Sequence, residues 1–370
     1  MKKVLCFAAA AMAIFASCQK TEVVYSNDGP QEIALFAINK IATKAPVTGA
    51  SFQTGDNMRV SAYLAEVVGG TPNSYFEDIL FSYYTDGQTW VGGQYWPLSD
   101  ATLNFIAVTE VGGGVDVDGT NEDKIDFTYT AANGTTPAKG EFVVTLDKNH
   151  GYNQSDVMYA SGQAKKTGSS ANKADLEFKH ALSWINFAFN TNIQSTGVIK
   201  INSVTLNARY NGTLTVTDNA YSSTAASRTV SAAWNAVTDS DLCDQVVPNT
   251  NCTDKADVLS LIKATTATPY GNGLLVVPTE GTGTDYNNYF VINYSIFQKN
   301  SEGASTEVEY NYKHTLNADW EMGKKYTYTI QVNMHEVEVA PSVEVWDDTN
   351  EKNTSQTDDD EPWGATVPLG

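Results

Sequence analysis

The sequence predicts an all-β protein of two sandwiches in tandem, and three observations predict it. Short segments with period-two alternation recur from Ile33 to Asn333, the pattern of half-buried strands. Turn-forming residues separate them: Gly69-Gly70, Asp86-Gly87, Asn211-Gly212 and Gly271-Asn272-Gly273. Asn-Gly and Asp-Gly supply the positive φ that tight hairpins require. Finally, 370 residues exceed what one hydrophobic core usually serves, while many short strands point to sandwiches.

The chain opens with Lys2 and Lys3, an apolar run from Val4 to Ala16, then Ser17 and Cys18. A charged start, a short apolar middle and small residues before a cut make a secretory signal. The run is about 13 residues, too short for the roughly 20 of a spanning helix. Phe15-Ala16-Ser17-Cys18 resembles a bacterial lipobox. The expectation is a signal peptide over 1–17, lipid on Cys18, and anchoring outside the cytoplasm. The alternative is a secreted protein whose signal happens to end at a cysteine. Several acyl chains anchor firmly where one alone is marginal.

Residues 19–32 are polar and contain Asp28-Gly29-Pro30, a tether ahead of the first strand. That strand is Ile33–Ile41, with Ile33, Leu35, Ala37 and Ile41 on one face and Ala34, Phe36 and Ile38 on the other. Apolar residues on both faces predict a strand buried on both sides. Further strands are expected at Met58–Leu64, Ala101–Val108, Glu141–Leu146, Phe178–Phe189, Ile199–Leu206 and Leu214–Thr217. Gly273–Val277, Tyr289–Ile296, Val308–His314 and Lys325–Asn333 complete the set. The best helix candidate is Lys255–Ala264, with Asn251 and Asp254 available as caps. Gly162–Asp175 is rich in Lys, Gly, Ser and Ala and reads as the linker between sandwiches at 45–170 and 176–346. The tail 347–370 is acidic and polar over Asp347–Glu361 and predicts disorder.

Net charge is −20. Without clustered Lys and Arg, nucleic acid is excluded as an expected partner. Cys243 and Cys252 flank a short segment with Pro248; in an oxidising compartment they read as a disulfide, the alternative being two free thiols. A bridge closing so short a loop is worth about 2–3 kcal/mol.

Catalytic and cofactor motifs are missing: there is no Gly-x-Ser-x-Gly, P-loop or dinucleotide fingerprint. His150, His180, His314 and His335 are scattered, and His180 beside Phe178 and Trp184 reads as a packing histidine. Asp116–Asp123 is rich in oxygen ligands but lacks a glycine at the sixth place of a calcium loop, so a solvated hairpin is expected. No metal or cofactor is expected. Trp90, Tyr95 and Trp96 could stack on sugars, although core packing is the simpler role.

Several segments in order resemble the Bacteroidetes fimbrillins, the FimA- and Mfa-like subunits of type V pili. They are the lipobox at Cys18, Ile33-Ala34-Leu35-Phe36-Ala37, Thr43-Lys44-Ala45, Phe52-Gln53-Thr54-Gly55-Asp56 and Trp90 with Tyr95-Trp96-Pro97. Then come Asp156-Val157-Met158-Tyr159-Ala160, Leu176–Ala181, Lys325–Ile330 and Val345-Trp346. The resemblance implies transthyretin-like sandwiches, no enzyme activity, and a surface lipoprotein precursor of the outer membrane. It also implies partners: a trypsin-like protease and other fimbrial subunits. The protease cuts after a basic residue, matched here by Lys44 before Ala45, with Lys40 as the alternate. The cut frees the first strand (Ile33, Leu35, Phe36, Ile38, Ile41), and a neighbour's strand fills the groove. Val337, Val339, Val343 and Val345 could form a final strand or a donor. The polar tail beyond Trp346 fits a tip or accessory subunit as well as a shaft subunit. The alternative is a glycan-binding surface lipoprotein that does not polymerise.

Overall fold

Alternating side chains build sheet after sheet, and the order of pairing decides which strands are interior. The computed structural model describes residues 31–345 apart from 38–51, 53, 66–73, 85, 87, 98–100, 110–123, 131–137, 149–153, 166–172, 193–197, 219–229, 249–258, 262–265, 272, 280–287, 300–303, 317 and 334–335. Residues 1–30 and 346–370 also lie outside the description. That excludes the signal, Cys18, the acidic loop 116–123 and the tail.

The first half contributes β1 (Glu32–Ala37), β2 (Asn57–Leu64), β3 (Ser74–Tyr84), β4 (Thr89–Tyr95), β5 (Thr102–Thr109), β6 (Lys124–Thr130), β7 (Ala138–Thr145), β8 (Met158–Lys165) and β9 (Lys173–His180). There follow β10 (Ser183–Asn190), β11 (Val198–Arg209), β12 (Asn211–Asp218), β13 (Val230–Trp234), β14 (Leu242–Val246) and β15 (Leu259–Leu261). The last are β16 (Thr268–Pro269), β17 (Leu274–Val276), β18 (Tyr289–Lys299), β19 (Ser305–Thr315), β20 (Lys324–Val332) and β21 (Val337–Val345). Among the described residues the fold is all β, with one 3₁₀ turn at Asp239–Asp241.

Seven strands close into a barrel in the order β1-β4-β3-β2-β5-β8-β9, sealed by parallel pairing of β9 with β1. Its interior is packed with Met58, Val60, Phe81, Trp90, Phe105 and Phe178. β5 is buried on both faces. Phe105 and Ala107 face the barrel core, whereas Ile106 and Val108 join Phe142, Val144, Leu214 and Val216 in a second core. Those four partners belong to a sheet ordered β13-β12-β7-β6, which covers the barrel's flank. A third core lies between a sheet of β16, β17, β10, β20 and β21 and another of β14, β15, β11, β18 and β19. There Phe187 meets Phe290 edge-on at 5.4 Å and stacks on Tyr328 at 5.8 Å.

Three sequence expectations are corrected. First, much of the expected linker is strand: β8 runs to Lys165 and β9 starts at Lys173. In β9, Ala174, Leu176 and Phe178 are buried while Asp175, Glu177 and Lys179 are exposed. That alternation outweighs the polar composition, and no clean cut divides the halves, because β7 pairs with β12. Second, Leu259–Leu261, inside the helix candidate, pairs with Ile199–Ile201; a vacant sheet position prevails over weak helical pattern. Third, Asn211-Gly212 is not a hairpin turn but the start of β12, opposite Thr145 and Val144. Gly212 is required there by a neighbour: a Cβ would lie 2.5 Å from the guanidinium of wholly buried Arg209. Arg209 donates to the carbonyls of Asn211, Asn235 and Pro278 at 2.9, 3.1 and 2.9 Å. It thereby satisfies a buried charge at a crossing of three segments.

Candidate functional site

The candidate site is the seat of β1. Gln31–Phe36 alternates strictly in burial, and Ile33 and Leu35 are wholly inaccessible. Ala34 and Phe36 are half-buried. The strand is therefore one-sided rather than equally buried on both faces, because the Ala34–Phe36 side faces outward from the barrel. Its described length is six residues; Ile38, Ile41, Lys44 and Ala45 lie outside the described residues. Burying Ile33 and Leu35 contributes about 1.5–3 kcal/mol each.

Both edges of β1 are paired. On one side it runs antiparallel to β4, with Glu32 opposite Tyr95, Ala34 opposite Val91 and Leu35 opposite Trp90. On the other it runs parallel to β9, from Ala34 beside Lys173 to Ala37 beside Leu176. A bulge interrupts the β4 side between Glu32 and Ala34. Gly92, Gly93 and Gln94 fall there opposite the single residue Ile33, and Gly93 has a φ of 67°, which suits glycine; its N–H donates to Glu32 Oε1 at 3.1 Å. The Trp96 N–H donates to the Gln31 carbonyl at 2.8 Å. Glu32 and Gln31 were missed by sequence reasoning. They are polar residues flanking an apolar run, and partners for them come from β4 and the residue just after it.

Beneath β1 lies an aromatic floor. Phe52 meets Trp90 edge-on at 4.8 Å and Phe178 at 5.1 Å, and Trp90 stacks on Phe178 at 6.2 Å. Trp90 comes from β4 and Phe178 from β9, the two walls of the seat. Such ring pairs are worth about 0.5–1.5 kcal/mol beyond their buried area. Phe52 lies after Lys44 in sequence. The rings linking the walls therefore do not depend on any residue of β1.

Other candidates resolve differently. Trp90 and Trp96 are 0% and 2% exposed, so neither can stack on a sugar; Tyr95 is exposed, with its carbonyl accepting from the Tyr75 hydroxyl at 2.7 Å. His180 is buried with Nδ1 2.7 Å from Asp156 Oδ2, a packing histidine with a carboxylate partner. Cys243 on β14 is half-buried and has no disulfide partner among the described residues, its expected partner Cys252 lying outside them; burial is the chief cause that pushes the Cys243 thiol pKa up to about 11. No group of three or more metal-ligating side chains occurs among the described residues.

A sequence model described as fimbrillin-like matches residues 43–346. The chain belongs to the fimbrillin-like family. This is a family of fimbrial structural proteins, not of enzymes. No curated protein sequence matches the chain. Among solved structures, a fimbrial protein from Bacteroides vulgatus ATCC 8482 aligns with a TM-score of 0.55 at 14% identity, covering 86% of this chain and all of that one. The fimbrial anchor protein Mfa2 from Porphyromonas gingivalis aligns over 86% of this chain and 98% of its own, at 10% identity and a TM-score of 0.29. Only the first is close enough to speak for the fold. The family match starts at residue 43, so β1 of this fimbrillin-like chain precedes the matched region.

Proposed function

We propose that this chain is a cell-surface fimbrial subunit whose first strand is a detachable plug. The carrying observation is that β1 closes a barrel by its hydrogen bonds while the walls of its seat are joined by rings it does not supply. In this reading the precursor is lipidated at Cys18 and held at the outer membrane. A trypsin-like protease cuts between Lys44 and Ala45. Loss of β1 leaves two unpaired strand edges over an apolar floor, a template for another strand. A neighbouring subunit's strand fills the seat, running antiparallel to β4 and parallel to β9. The start of the family match at residue 43 supports a separable segment ahead of it. A tip or accessory position fits β21, which already occupies a sheet edge and is followed by a polar tail.

The test is the double variant Lys40→Ala/Lys44→Ala expressed in the native cell. The expected outcome is an uncut, membrane-held monomer, seen as the absence of high-mass ladders on gels. Normal polymers from that variant would refute the maturation step.

A further inference from the structure

Among the described residues β19 is the longest strand at a sheet margin. Its inner edge pairs with β18 from Tyr289 opposite Thr315 to Lys299 opposite Ser305 without a register shift. Among the described residues β19 ends its sheet. It is 11 residues long and contains no proline and no glycine. Natural edges are usually guarded by proline, bulges or shortness. β21, the margin of the facing sheet, has such a guard in Pro341, opposite Tyr328. β19 has none.

The apolar residues of β19 are also incompletely covered. Val308 and Tyr310 sit opposite the core residues Ile296 and Tyr294, yet are 37% and 38% exposed. Tyr310 stacks on Tyr294 at 5.4 Å, which leaves its other side open. The opposite face of the strand carries Glu307, Glu309, Asn311 and Lys313, all exposed.

We infer that the β19 edge pairs antiparallel with the β19 edge of a second copy of this chain, about a two-fold axis through Tyr310. Complementarity along the strand sets this register. Centring on Tyr310 overlaps the whole strand with its copy, roughly 37 Å of ladder at 3.4 Å per residue. It sets Glu307 against Lys313 of the other copy twice over, Glu309 against Asn311, Val308 against Tyr312, and Tyr310 against itself. Opposite charges, hydrogen-bonding pairs and aromatic–β-branched pairs are the favourable cross-strand combinations. Moving the axis to Glu309 would place that carboxylate against its own copy. The centred register also keeps both apolar faces on one side, so two sheets continue as one. Lys313 is now over the Tyr289 ring, 3.4 Å from its centroid, on the face where the partner's Glu307 arrives.

A two-fold contact is self-complementary by construction. A single strand edge buries less than the ~1,600 Å² of a standard interface, so the dimer is weak, and the −20 charge of each chain opposes it at low salt. Repeated along an array of subunits, the contact gains by multivalency.

The test is sedimentation velocity on the full chain in mild detergent at physiological salt. A concentration-dependent dimer is expected. Glu307→Lys and Lys313→Glu should each weaken it about tenfold, the combined effect of two lost and reversed pairs, while Glu307→Lys/Lys313→Glu together restore it. Under mild oxidant Tyr310→Cys should form a dimer crosslink absent from the parent chain, and Glu307→Cys should not. A monomer throughout, single reversals without effect, or equal crosslinking at 307 and 310 would overturn the inference. Fibre formation through the β1 seat is scored separately, since it uses neither position.

Discussion

β1 and β21, the first and last described strands, each carry an apolar repeat on one face and meet opposite fates. β1 is six residues, paired on both edges, with Ile33 and Leu35 wholly buried. β21 is nine residues, paired on one edge, and its Val343 and Val345 are 54% and 58% exposed. The apolar repeat in Val337–Val345 is no weaker than that in Ile33–Leu35. Position in the sheet order decides burial. Losing β1 opens a closed barrel; losing β21 only trims a margin.

Four measurements bear on this contrast. The largest effect is at the floor of the seat. Trp90→Ala should cost about 3–5 kcal/mol in both precursor and cut chain, measured by denaturant unfolding. An effect confined to the precursor would mean the floor belongs to the plug. Next, Leu35→Ala should cost about 2–5 kcal/mol in the precursor and nothing once the chain starts at Ala45. Third, stability should decline with alkali. Burial raises the folded-state pKa of Cys243 from 9.0 to about 11, and of Tyr270 and Tyr328 from 10.0 to about 12. The folded state then holds protons that the unfolded state has released. Their contribution is intact below about pH 9 and is lost progressively as pH rises through these folded values. Melting temperatures flat to pH 12 would contradict that burial. Smallest is the margin: Val345→Thr should move stability by under about 0.5 kcal/mol, and a larger loss would show that β21 is not a free edge.

Much of the fold was legible in the sequence. Tyr289–Ile296 shows up as a strand because one face packs on a core and imposes period two, whereas Met58–Leu64 and Ala101–Val108 are buried on both faces for much of their length and show up as short runs rich in apolar residues. β9 was obscured by the polar stretch before it, although Ala174, Leu176 and Phe178 already alternate. Its parallel union with β1 could not be read, because the partners lie about 140 residues apart and nothing local encodes which edge a strand will close. Ile33 and Leu35 were recognised as interior residues of the candidate site. The aromatic floor was only half visible: Phe52 and Trp90 stood out in sequence, yet their meeting with Phe178 arises from barrel closure. Glu32 was silent because its partner is a backbone amide freed by the bulge at Gly93.

Departure of β1 is decided by N-terminal sequencing of chains taken from assembled surface fibres. A start at Ala45 is expected. Fibres whose chains begin at Cys18 and retain Ile33–Ala37 would contradict it.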